Sequence, residues 1–190
     1  MKAFDFVLLF FSFVYALALT HLLMATTRMI RYRSSIVFSA PHALWMLVAL
    51  VLVISNWISL WDFHTVTKIT AAAISVGFAF SILVYLACAL LSPDFDKDGT
   101  LDLREFHERQ GATYMGAMFV TLIASIVVNA AAASSMGIQS WGSENTLVII
   151  MVVPMVAAFF VRKPWVQVLA PLVLAALMTA YIFVYYPVLK

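Results

Sequence analysis

Six stretches of this chain are long and apolar enough to be withdrawn from water, and the segments between them are too short to fold alone. They cover residues 4–26, 40–60, 69–91, 112–133, 146–161 and 165–186. About 20 apolar residues in a helix match the ~30 Å hydrocarbon layer of a bilayer. Within that layer no water is available to backbone amides and carbonyls, so each stretch must satisfy its own groups as a helix. Composition excludes the alternative of a soluble bundle: 65% of residues are hydrophobic and 11% charged, whereas soluble domains average about 45–50% apolar. The expectation is an all-α, polytopic membrane protein with six transmembrane helices in a single domain, 1–190. The fifth stretch is the shortest and carries Pro154 near its middle, which predicts a kink or tilt.

The N-terminus imitates a cleavable signal, with Lys2, an apolar run and Ala16-Leu17-Ala18. The run continues through Leu19 to Met24, which is the length of a full span, so a retained first helix is expected. The one cysteine, Cys88, lies in an apolar run. It permits no internal disulfide and reads as core packing. Neither a basic-aromatic pattern for nucleic acid nor a Gly-rich phosphate loop nor a nucleophile motif is present.

Orientation follows from the basic residues of the short loops. Arg28, Arg31, Arg33, Lys97, Arg104, Arg109, Arg162 and Lys163 fall on one side, and Lys2, Lys68 and Lys190 on the other. The first, third and fifth loops are then expected in the cytoplasm of a bacterial inner membrane, with both termini outside. Three arginines in the first loop fall short of the usual four-to-eight lipid-binding cluster. They read first as topology determinants.

The third loop carries the most specific pattern. Residues 94–105 read DFDKDGTLDLRE, with Asp94, Asp96, Asp98, Thr100, Asp102 and Glu105 at the ligand positions of a twelve-residue calcium loop and Gly99 at its turn. The segment resembles an EF-hand, and the resemblance implies Ca²⁺ as cofactor with the third and fourth helices as its arms. Pro93 departs from the pattern, because proline should end the entering helix early. The competing reading is an acidic turn that caps a helix. Such loops usually occur in pairs, so a homodimer joined through Leu101 is a further expectation.

Inside the spans, Thr113, Ala117, Thr121, Ser125, Asn129 and Ala133 recur every four residues on the fourth helix. Thr121, Ser125 and Asn129 are therefore candidates for close helix packing, or for a pore lining. The row drifts by ~40° per step, which favours packing over a straight pore face. His21 is the one ionisable side chain deep in a span and is a candidate functional residue. His42 lies on the same side, whereas His64 and His107 fall in polar loops and are expected to face water. Asn56 is expected to bond a neighbouring helix, and Trp45 to join an interfacial aromatic belt.

No paired intramembrane carboxylates or metal-spaced clusters suggest an enzyme or an ion-coupled transporter. Two functions remain: a calcium-responsive sensor or scaffold, and an oligomeric calcium-gated channel with the fourth helix at its pore. The first helix is faintly similar to the opening helix of six-span potassium channels, with Phe11-Ser12 where that family has Phe-Ser-Asp. The whole form resembles compact bacterial inner-membrane proteins. The implied partners are the lipid bilayer and further copies of this chain.

Overall fold

The computed structural model describes residues 3–63, 70–94, 101–136 and 145–187. Within them the apolar stretches become helices α1 (Ala3–Arg31), α2 (Ala40–Ser59), α3 (Ala71–Leu91), α4 (Leu103–Met136), α5 (Thr146–Ile150), α6 (Val152–Phe160) and α7 (Pro164–Tyr185). Among the described residues, α1, α2, α3, α4 and α7 are each long and apolar enough to cross a membrane, and Thr146–Phe160 is a shorter apolar segment. The polytopic helical architecture stands, with the fifth stretch broken in two.

Local chemistry sets the boundaries. Pro41 occupies the first turn of α2, where its missing N–H costs nothing. Thr70 caps α3, its hydroxyl accepting from the Ala73 amide at 3.2 Å. Pro93 stops α3 as expected: the helix closes at Leu91 and Ser92 is extended, as a residue before proline must be. Pro154 removes the amide that would bond the Ile150 carbonyl, and the helix breaks at Met151.

Burial follows helical spacing. On α1 the core face is Phe11, Tyr15, Ala18, Leu22 and Ala25, while Leu9 and Phe13 on the opposite face are 68% and 70% exposed. In a bilayer that exposed face meets lipid tails. α2 packs on α7, α3 lies between α1 and α4, and α6 packs on α7. Trp45, Val84, Tyr114, Met155 and Leu174 are fully buried where these helices converge. Trp45 is therefore a core residue and not part of an interfacial belt.

The loops sort into two ends. Two-residue strands β1 (Ile36–Val37) and β2 (Leu101–Asp102) pair in parallel, Ile36 with Leu101 and Val37 with Asp102. This joins the first and third loops. Arg162 comes to the same end: a Cβ on Gly111 would lie 3.3 Å from its Nη1. At the opposite end Asn129 Nδ2 donates to Asn145 Oδ1 at 2.8 Å. Leu101 thus has its β partner within the chain, in Ile36, where a second copy had been expected.

Gly77 lets α1 and α3 approach, since a Cβ there would lie 2.7 Å from the Phe11 ring. We expect Gly77→Val to lower stability by about 1–3 kcal/mol through overpacking. Combination with Phe11→Leu should recover part of that loss, as read from unfolding midpoints in detergent.

Candidate functional site

The calcium reading is corrected by the structure. Among the described residues, no group of three or more His, Cys, Asp or Glu side chains comes together to hold a metal ion. Asp102 serves instead as the N-cap of α4. Its Oδ1 accepts from the amides of Arg104 at 2.8 Å and Glu105 at 3.0 Å, satisfying two otherwise orphan donors. Glu105 pairs with Arg109 one turn along the same helix at 3.2 Å, and Asp94 is exposed. Asp96, Asp98 and Thr100 lie outside the described residues. EF-hand membership, the Ca²⁺ cofactor, and the sensor and calcium-gated channel functions built on them therefore fall together. The ligand positions matched in type, but Asp102 and Glu105 are engaged in capping and pairing along α4.

The candidates inside the spans separate. Thr121 is fully buried and donates to the Ala117 carbonyl of its own helix at 2.8 Å. It is a packing residue. His21 bonds the Tyr85 hydroxyl at 2.9 Å, edge-on to its ring, and so ties α1 to α3. Asn56 donates to Leu52 O within α2 at 2.8 Å, and not across to a neighbour among the described residues. Ser125 and Asn129 do come together, in the wall of a large cavity.

That cavity, about 660 Å³, lies between α1, α2, α3, α4 and α7 toward the end marked by Asn129 and Asn145. Its wall is chiefly apolar, with Phe11, Leu52, Phe80 and Met178 among its residues. The polar groups in it are all neutral among the described residues. Ser55 and Ser81 spend their hydrogens on carbonyls four residues back, at 2.7 and 2.8 Å. Ser55 keeps lone pairs for another donor, whereas Ser81 is shared with the Tyr15 hydroxyl. Asn56 and Asn129 each use an Nδ2 hydrogen and keep an Oδ1. Ser125 is half-buried, and its hydroxyl has no partner among the described residues. The balance favours acceptors, with a few donors beside them.

A second cluster, invisible in the sequence, sits at the arginine end. His107 is buried and hydrogen-bonded through Nδ1 to the Tyr114 hydroxyl one helical stretch away on α4. It does not face water. His42 of α2 stands edge-on to Phe106 and to Tyr114, with centroid separations of 5.2 and 6.2 Å. Trp45 meets the same tyrosine at 6.2 Å. Both His42 ring nitrogens and Trp45 Nε1 are buried without a hydrogen-bond partner, while the Gln167 side chain stands beside His107. Gln167 Nε2 donates at 2.8 Å to each of the Ala158 and Val161 carbonyls, so α7 caps the C-terminal end of α6.

No protein-family model, no curated protein and no solved structure matches this chain.

Two expectations test these assignments. Asp102→Ala should cost about 1 kcal/mol of stability and Asp102→Asn much less, because asparagine caps nearly as well. The loss should be equal in EDTA and in calcium, measured by thermal unfolding. Tyr114→Phe removes the hydroxyl bonded to the buried His107 Nδ1 and should cost about 1–3 kcal/mol, seen as a lower denaturant midpoint.

Proposed function

We propose that this protein is a non-catalytic integral membrane binding protein for an uncharged, hydroxyl-bearing amphiphile. The observation that carries the reading is the cavity of about 660 Å³ bounded by Ser55, Asn56, Ser125 and Asn129 on otherwise apolar walls. Its size falls within the ~300–1,000 Å³ of small-molecule sites, which are similarly apolar with a few placed polar groups. A hydroxyl suits this wall because it donates to the spare serine and asparagine oxygens and accepts from Ser125. A charged head would find no counter-ion among the described lining residues and would bear the full cost of leaving water.

The same reading includes an orientation. Arg28, Arg31, Arg33, Arg104, Arg109, Arg162 and Lys163 belong to the end that β1–β2 and Gly111–Arg162 bring together, and the positive-inside rule places that end in the cytoplasm. The cavity then faces the outer leaflet of the inner membrane, with both termini outside. The broken segment 146–160 serves as a sixth crossing, since it connects the level of Asn129 to that of Gly111. Those levels are about 27 Å apart along α4 at 1.5 Å per residue. Any homo-oligomer in this reading forms through faces other than the Leu101 bridge, which Ile36 occupies.

The test uses 1,2-dioctanoylglycerol with the protein in lipid nanodiscs, read by native mass spectrometry after release. One bound diacylglycerol is expected, and Ser125→Phe should abolish it while leaving the unfolding temperature within a few degrees. Equal retention of dioctanoyl phosphatidic acid, or binding untouched by Ser125→Phe, would overturn the reading.

A further inference from the structure

A second cavity lies at the opposite end of the bundle, between the C-terminal half of α1 and the N-terminal half of α2. It measures about 470 Å³. Leu22, Leu23, Met46, Leu47 and Leu50 are among its lining, so its chemistry suits an aliphatic chain. Exposed Arg33 is among its lining residues, and none of the described lining residues is acidic. Arg33 lies just beyond the end of α1, in the turn between α1 and α2. In a bilayer the end of a spanning helix is headgroup depth.

The inner wall adds a second observation. His42 contributes to the lining, is wholly buried, and has no hydrogen-bond partner on either ring nitrogen. Buried polar atoms in folded proteins almost always have partners, so a histidine with two orphaned nitrogens marks a missing one. The rings around it, Phe106 and Tyr114, present edges and faces and not a fixed acceptor. A neutral imidazole offers one N–H and one lone pair. An ester carbonyl is the class of acceptor that such an N–H would take.

We infer that this groove holds one anionic phospholipid, with its phosphate on Arg33, a glycerol-ester carbonyl toward His42 and an acyl chain along the leucines. Charge complementarity selects the anionic class: exposed Arg33 lines the groove, and Arg31 stands two residues before it in the chain. Counting arginines alone did not favour lipid binding, because three fall short of a surface cluster. The groove changes that judgement, since an acyl slot adds apolar contact to a single charge pair. This site is independent of the neutral-amphiphile cavity, which lies at the other end and holds no described cation.

The experiment measures lipids retained by the purified full chain in native mass spectrometry, with dioleoylphosphatidylglycerol and dioleoylphosphatidylcholine supplied in equal amounts. One phosphatidylglycerol should stay bound in preference to phosphatidylcholine. Arg33→Gln should weaken retention by about fivefold, as expected for one arginine at an anionic surface. Leu47→Trp, at a partly lipid-exposed position, should fill the slot and remove retention altogether while the unfolding temperature is kept. His42→Leu should weaken retention without altering the charge. Loss in Arg33→Gln but not in Leu47→Trp would mean a headgroup attracted to surface charge, and would overturn the groove. Displacement of the lipid by millimolar inorganic phosphate would reduce the site to a simple anion site and overturn it equally.

Discussion

Everything in this chain depends on keeping backbone amides and carbonyls bonded where there is no water. Helices do this alone over the apolar stretches, so irregular backbone is pushed toward the ends. The exceptions prove how narrow the tolerance is. At Met151, where Pro154 withholds an amide, the interruption is a single residue and the flanking bonds Met151–Leu147 and Met155–Met151 persist at 3.1 and 3.3 Å. At the end of α6, carbonyls that have no helical partner are taken up by Gln167 from α7. The β1–β2 bridge likewise gives two loop segments partners in each other.

Once the helices are fixed, the two ends of the bundle acquire different chemistry. One end is packed with rings, with Trp45, Phe106, His107 and Tyr114 against one another, and the smaller groove of about 470 Å³ lies beside them. This end is ringed by arginines and is closed by the β bridge. The other end is loosely filled, and the space left over is walled by serines and asparagines whose hydrogens are mostly committed to their own helices. An apolar void in a bundle is costly when empty, because its lining loses dispersion contacts. A void that keeps spare lone pairs is suited to an amphiphile.

Part of the site was legible in the residue order. Ser125 and Asn129 stood out by their four-residue spacing, and both line the cavity; Thr121, from the same row, turns into the helix interface because the row winds around α4. Pro93 correctly marked the end of α3. The calcium pattern misled because Asp102 and Glu105 are as good at starting a helix and pairing along it as at holding an ion. His107 misled for a related reason. Its neighbours in sequence are charged, yet α4 begins at Leu103 and carries it one turn into the packed interface, where Tyr114 bonds it.

By itself, the sequence determined the helical spans, their breaks at proline and the charge asymmetry of the loops, because these depend on local backbone chemistry and on hydropathy over about 20 residues. Only the tertiary structure decided which polar groups face one another. It set Ile36 beside Leu101, Tyr85 beside His21 and Arg162 beside Gly111. It also left His42 buried without a partner. Those relations depend on which face each helix turns inward. That choice is made by packing among several helices at once, and no window of a single helix contains it.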